Sequence, residues 1–367
     1  MESEKIDIRQ NEQQNLNEPQ MDFLEVSVIS EIIQMIEQIE SKCKGQVGED
    51  IVNERIKQVA YAKILCNVYG KDITYLIKAY AALGIAYFDI EYYEQAQEHL
   101  LNAFKLNENL SEESNLDMKE FQIKILINLS KCYLENDNLQ SALQISERSL
   151  KMNQTLFGEN HISNGDIYYV LAKINTKLKK PECYEKAIMY LTNMFSIYEK
   201  IYGYDSEKSA KIFMELGQIY EITEKYDDSI NYYRNAYNIW EKLNEYKILF
   251  EISMKLSELY TKIDKGEEAY QILDETQNKY NDKIERSIKD RVVYQRCKIN
   301  TILNLKNMDK YLEENLELEK ILSQTNENQK TLAKTCITIG YIYLENKDKE
   351  KCLEYLRKAQ NIFIIWR

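Results

Sequence analysis

A leucine or isoleucine followed at once by a small residue occurs at Leu83-Gly84, Leu129-Ser130, Leu171-Ala172, Leu216-Gly217, Leu256-Ser257 and Ile339-Gly340. Thirteen residues after five of these apolar positions stands a second small side chain: Ala96, Ala142, Ser229, Ala269 and Cys352. After Leu171 it is Ala187, sixteen residues on, and the difference fits an insertion of "KPE", Lys180 to Glu182. Sixteen residues then lead from Ala142 to Gly158 and from Ala187 to Gly203, and thirteen lead from Gly70, Gly158 and Gly203 to the next leucine. The full period is 42 residues. A unit of that length cannot bury its apolar face alone, so copies must stack on one another, and insertions must fall in loops.

Each period reads as two helices. Tyr80, Leu83, Gly84 and Tyr87 sit at i, i+3, i+4 and i+7, one amphipathic face, and Ala96, Leu100 and Ala103 repeat the logic in the second helix. Small residues mark the places where the paired helices approach closely. With 10 glycines and 2 prolines in 367 residues, there is little material for turn-rich β structure. Gly70, Gly158 and Gly203 are expected to close second helices in a left-handed conformation, with Asp72, with Asn160 or Ser163, and with Asp205 or Ser206 capping the helix that follows. The interval from Leu256 to Ile339 holds two periods. A degenerate pair is therefore expected near 290–322, with Lys298 or Cys297 in place of the leucine. Glu54 stands where the spacing back from Gly70 asks for alanine, so the first pair also departs from the pattern.

The pattern apolar-x-x-L-small-x-x-Y, then A, then an apolar residue, then A, resembles the tetratricopeptide repeat. "YAALGIAY" with Ala96, Leu100 and Ala103, "FMELGQIY" with Ser229, Tyr233 and Ala236, and "CITIGYIY" with Cys352, Leu356 and Ala359 carry it. The longer unit and the glycine-polar junctions resemble the kinesin light chain type. "YDDSINYYRNA", Tyr226 to Ala236, and the tyrosine-glycine junctions are similar to the ciliary tetratricopeptide-repeat protein twenty-three family, which implies protein contacts at the cilium base and no catalysis. The fold expected is all-α: one right-handed α-solenoid of stacked antiparallel helix pairs over 21–367, about seven pairs, behind a disordered tail at 1–20.

A net charge of -12 argues against nucleic acid and anionic lipid as partners. No apolar run is long enough to cross a bilayer, and the polar start lacks the marks of a leader, so a cytoplasmic protein without membrane insertion is expected. The family resemblance adds a cilium or cytoskeletal setting. Seven scattered cysteines without a C-x-x-C pair read as reduced thiols. Only two histidines occur, His99 and His161, neither beside a partner at metal-ligand spacing, and both are assigned to packing or surface roles. Catalytic residues, cofactor and metal are all expected to be absent.

Shape is then the expected source of function, in the form of a non-catalytic scaffold holding a peptide or helical segment of a protein partner. The inward positions of the first helices are read as Lys78, Ala82, Ile85 and Phe88; Lys124, Asn128 and Lys131; Tyr169 and Lys173; and Lys211, Met214 and Gln218. Their lysines and amides favour an acidic or acidic-aromatic peptide. The apolar ending "NIFIIWR" offers a second contact edge at Phe363, Ile365 and Trp366, a candidate for self-association. A kinesin light chain-like cargo adaptor and an enzyme with a helical-repeat body are the alternatives.

Overall fold

The structure is a computed structural model that describes residues 23–110, 116–283, 285–325 and 328–366. Among these residues it contains sixteen α-helices in successive packed pairs and no strand. The expected tail at 1–20 lies outside the described residues.

The chain divides into two compact units, Met1–Gly158 and Glu159–Arg367. The first holds α1 (Phe23–Cys43), α2 (Glu49–Asn67), α3 (Thr74–Asp89), α4 (Tyr93–Glu108), α5 (Leu116–Glu135) and α6 (Leu139–Phe157). The second holds α7 (Ile162–Leu178), α8 (Pro181–Tyr202), α9 (Glu207–Ile222), α10 (Tyr226–Lys242), α11 (Tyr246–Lys262) and α12 (Gly266–Tyr280). It continues with α13 (Ile288–Leu305), α14 (Met308–Leu322), α15 (Gln329–Glu345) and α16 (Lys349–Trp366). The count is eight pairs, one more than the sequence period gave. The first pair departs from the pattern at Glu54, as expected: α1 and α2 pack through Ile29, Ile32, Ile36 and Ile39, while Glu54 is held at the rim by Lys42 and Lys57.

The two small-residue positions do what close packing requires. A Cβ on Gly84 would lie 2.7 Å from Leu100 Cγ, and one on Gly217 would lie 2.8 Å from the Tyr233 ring. In α5 and α6 the same pair of positions holds Ser130 and Ser146, whose hydroxyls meet at 2.8 Å. In α3–α4 and α9–α10 a large side chain on the second helix is thus matched by a glycine on the first, sixteen residues away. The consensus tyrosine adds a second contact, twelve residues across the hairpin: Tyr87 stacks on His99, Tyr220 on Tyr232 and Tyr343 on Tyr355.

Seven of the eight turns from a first to a second helix use one device that the sequence conceals. Glu91, Asp137, Lys179, Glu224, Asp264, Lys306 and Lys347 all have positive φ, between 54° and 66°. Each stands eight residues after the leucine position, with Lys298 filling that position in α13. In five of these turns the tyrosine carbonyl accepts from the backbone N–H five residues later, as from Lys225 to Tyr220 at 2.9 Å, the Schellman closure of a helix end. Three return turns use glycine, while Asn244, with φ 61°, turns α10 into α11. Gly70, Gly158 and Gly203 do have positive φ, yet Gly158 and Gly203 carry ψ of 172° and 165° and so lie outside the left-handed helical region that was expected. That extended, positive-φ region is open essentially to glycine alone. Ser206 caps α9 by accepting from Ser209 N, and Asp72 accepts from Thr74 N. At α7 the cap is His161, whose ring accepts from Ser163 N, in place of Asn160 or Ser163.

Candidate functional site

The first helices of neighbouring pairs touch one another, α3 with α5 and α11 with α13, so within each unit they share one wall. In the first unit that wall carries Lys78 and Phe88 from α3 with Lys124, Asn128 and Lys131 from α5. Phe88 is half-buried, edge-on to Tyr93. Lys78 is exposed. Lys124 is tied to Glu120 one turn back at 2.7 Å, and the Asn128 amide donates to the Lys124 carbonyl at 2.9 Å. Burial raises the Asp89 pKa, with Lys131 pulling it back down.

In the second unit the wall brings together Tyr169 and Lys173 from α7 with Lys211, Met214 and Gln218 from α9. Lys173 reaches across to Glu215 at 2.6 Å and lies over the Tyr169 ring, 5.5 Å from its centre. Burial disfavours the Lys173 charge, but Glu215 outweighs it and lifts the ammonium above its ordinary value. Lys211 pairs with Glu207 on its own helix. Met214 is half-buried and Gln218 exposed. Further along, Glu221 accepts from Lys262 at 2.8 Å and Lys255 at 3.0 Å. Burial works against the Glu221 charge, and those two ammonium groups hold its pKa below the usual range.

The basic strip expected from the sequence is therefore largely neutralised. Lys124, Lys173 and Lys211 each have a carboxylate partner, and the wall is a ladder of ion pairs. The reason is visible one period away: Glu215 follows Lys173 by 42 residues and lands beside it on the next pair. Reading charges at one period's separation would have found it.

Between α11 and α13 the wall opens into a hollow of about 320 Å³. Met254, Glu258, Thr261 and Lys262 line one side, and Cys297, Asn300 and Thr301 the other. Burial, and then the nearby Glu258, raise the Cys297 pKa, so this thiol is a weak nucleophile. Sequence reading missed the hollow because it follows from α13, where the period is degraded. Of the expected C-terminal edge, Phe363 is partly exposed. The side chains of Ile365 and Trp366 lie outside the described residues.

His99 is packed between Tyr80 and Tyr87, and burial lowers its pKa. Among the described residues no group of three His, Cys, Asp or Glu could hold a metal ion, and no helix is long and apolar enough to cross a membrane.

Family models described as tetratricopeptide repeat match residues 182–242, residues 77–110 and 333–362, and residues 123–163. A clustered mitochondria protein homolog of Candida albicans is 31% identical over 134 residues, 35% of this chain and 9% of that protein. Response regulator aspartate phosphatase E of Bacillus subtilis is 23% identical over 225 residues, 52% of this chain and 58% of that protein. The chain thus spans less than two thirds of either relative. Among solved structures, a signal transduction ATPase with numerous domains and a tetratricopeptide repeat sensor, from Pyrococcus horikoshii, superposes with a TM-score of 0.57 at 17% identity, over 93% of this chain and 52% of that one. At that identity the likeness is one of fold. Helix pairs of one period, the leucine-small and alanine contacts within them, and the matched stretches agree: residues 77–110, 123–163, 182–242 and 333–362 are tetratricopeptide repeats, a helical scaffold of the kind suited to protein-protein contacts.

Proposed function

We propose that the protein is a non-catalytic adaptor that holds a peptide or helical segment of a partner protein on the first-helix wall of its second unit. The hollow between α11 and α13 carries this reading. Its rim sets donors (Asn300, Lys262) and acceptors (Glu258, Thr261) around the apolar Met254, the mixture a polypeptide backbone and one anchoring side chain need. Preference for an acidic partner now rests on Lys211 more than on Lys173. Lys211 and Glu207 are both more than half exposed, and such a pair contributes little, so an incoming carboxylate can displace Glu207. The kinesin light chain-like cargo adaptor is a variant of the same reading, and a ciliary or microtubule-associated setting rests on the resemblance of "YDDSINYYRNA".

The test is selection of binders from a displayed peptide library, followed by fluorescence anisotropy on the selected peptides. Asn300→Arg, which fills the hollow, is expected to weaken binding at least about tenfold, and Lys211→Glu to weaken the acidic binders selectively. Unchanged affinity in Asn300→Arg removes the hollow from the reading. A second reading, action on aspartyl phosphate, is favoured by the likeness to response regulator aspartate phosphatase E. Faster loss of phosphate from a phosphorylated response-regulator domain when the chain is added would support it.

A further inference from the structure

In the second unit the wall is tied from pair to pair, Lys173 of α7 to Glu215 of α9, and Lys255 and Lys262 of α11 to Glu221 of α9. Between α11 and α13 the tie is missing, although charges of opposite sign stand on the two helices. Glu258, on the α11 side of the hollow, has Lys255 of its own helix at 3.3 Å, and its side chain is 58% exposed. Lys255 itself lies closer to Glu221, at 3.0 Å. Arg296, on the α13 side, is exposed and makes no ion pair among the described residues. Both charges act on the Cys297 thiol in the hollow: burial raises its pKa most, Glu258 raises it further, and Arg296 pulls it back. Seven residues before each, Glu251 and Lys289 repeat the division, exposed and likewise without an ion pair among the described residues. At that spacing the two like charges of each helix share a face, about 10 Å apart. Lys247, a turn further back on α11, breaks the pattern. Apolar side chains share these faces: Met254 is half-buried, and Val293 and Leu303 are 47% and 53% exposed. Both helices have a further pair before and after them in the chain, so the opening is internal to the stack.

A segment laid along α11 and α13 therefore meets carboxylates on one flank, cations on the other and apolar surface beneath. Charges seven residues apart on the wall are matched by side chains seven apart on an incoming helix, as in a coiled coil. An extended strand, with its period of two, has no such repeat. We propose that the occupant is an amphipathic helix of a partner protein. Its apolar ridge has heptad spacing, basic side chains along one flank meet Glu251 and Glu258, and acidic ones along the other meet Lys289 and Arg296. The proposal rests on the hollow being a polypeptide site, and it names what the site takes. A segment acidic on both flanks suits α13 and is repelled by α11, so charge here selects the arrangement of the partner more than its sign. All four charges are exposed, and salt weakens the contact.

The experiment uses three labelled helical peptides of equal length and the same leucine ridge, titrated with the full chain at low salt and followed by fluorescence anisotropy. One peptide has a glutamate flank and a lysine flank, the second has glutamate on both flanks, and the third has lysine on both. The mixed peptide is expected to bind about tenfold more tightly than either of the others. Lys289→Glu combined with Arg296→Glu makes both walls acidic, and the lysine-flanked peptide should then bind most tightly. Glu251→Lys combined with Glu258→Lys should instead favour the glutamate-flanked one. Circular dichroism checks that the variants fold, and a change of preference in opposite directions cannot come from unfolding. Equal affinities for the three peptides, or an order that the charge reversals leave unchanged, overturns the proposal. If none of the three binds while library-selected peptides do, and those lose affinity in Asn300→Arg, the helix is wrong and the peptide-binding reading stands. Should the selected peptides also ignore Asn300→Arg, both fall.

Discussion

The hairpins α9–α10 and α13–α14 lie in the same unit and have the same backbone, yet their interiors are opposite in kind. In the first, Leu216 is buried, Gly217 admits the Tyr233 ring, and the Ser229 hydroxyl donates to the Gly217 carbonyl at 2.7 Å. In the second, the leucine place holds Lys298, 4% exposed, with its ammonium 2.9 Å from Glu314 and 2.8 Å from Asp274. Glu314 also accepts from Tyr270 at 2.7 Å and from Gln295. Both hairpins turn through a positive-φ residue at the same place, Glu224 with φ 59° and Lys306 with φ 54°. Turn geometry and helix spacing therefore hold the register, and the interior has only to be filled and have its polar groups satisfied.

That contrast sets the largest expected effect. Glu314→Ala removes one acceptor from three donors and leaves a buried ammonium with Asp274 alone, so it should cost about 3–5 kcal/mol in urea unfolding. In α9–α10 the counterpart, Ser229→Ala, gives up one hydrogen bond and should cost about 1 kcal/mol. A double-mutant cycle between Lys298→Met and Glu314→Gln should return a coupling above about 1 kcal/mol. If the two changes simply add, Lys298 is not held by Glu314, and the second hairpin is as apolar in its energetics as the first.

The next effect separates glycines that look alike in the sequence. Gly217→Ala pushes a Cβ to 2.8 Å from a ring that is itself buried, which should cost about 1–3 kcal/mol. Gly340→Ala meets Leu356 at 3.3 Å, at the exposed face of α16, and the leucine can give way. There the better helix propensity of alanine should roughly cancel the contact, leaving a change within about 0.5 kcal/mol by thermal melting. Equal losses at both sites would mean that α16 is as tightly covered as α10.

What the sequence made legible follows the same division. The leucine-small pair and the alanines could be read because close helix packing restricts side-chain volume, and volume is written in residue type. Lys298 could be placed by counting, although its type points the other way, but the satellites that satisfy it, Tyr270, Asp274, Gln295 and Glu314, come from three helices and have no local signature. The lysines of the wall were misjudged for a related reason. Lys173 faces solvent on its own helix, and only the stacking of the next pair brings Glu215 to it. Register within a hairpin is a local property of the chain, and neutralisation of the wall is a property of the stack.

The turn between paired helices is the plainest case of structure without a residue signal, and it yields the smallest prediction. Glutamate, aspartate or lysine holds the left-handed conformation in all seven turns, where a side chain with a Cβ costs about 1–2 kcal/mol. Asparagine or glycine would be the ordinary choice, and glycine would return part of the gain through its freer unfolded chain. Glu224→Gly and Lys306→Gly should therefore each raise stability by a few tenths to about 1 kcal/mol, seen as a small rise in Tm. The gains should be equal within error, because the two turns share one geometry while their hairpins share no interior chemistry. A clear gain in α9–α10 with none in α13–α14 would show that the buried ion pair also sets the turn, and that backbone and interior are not independent in the degenerate pair.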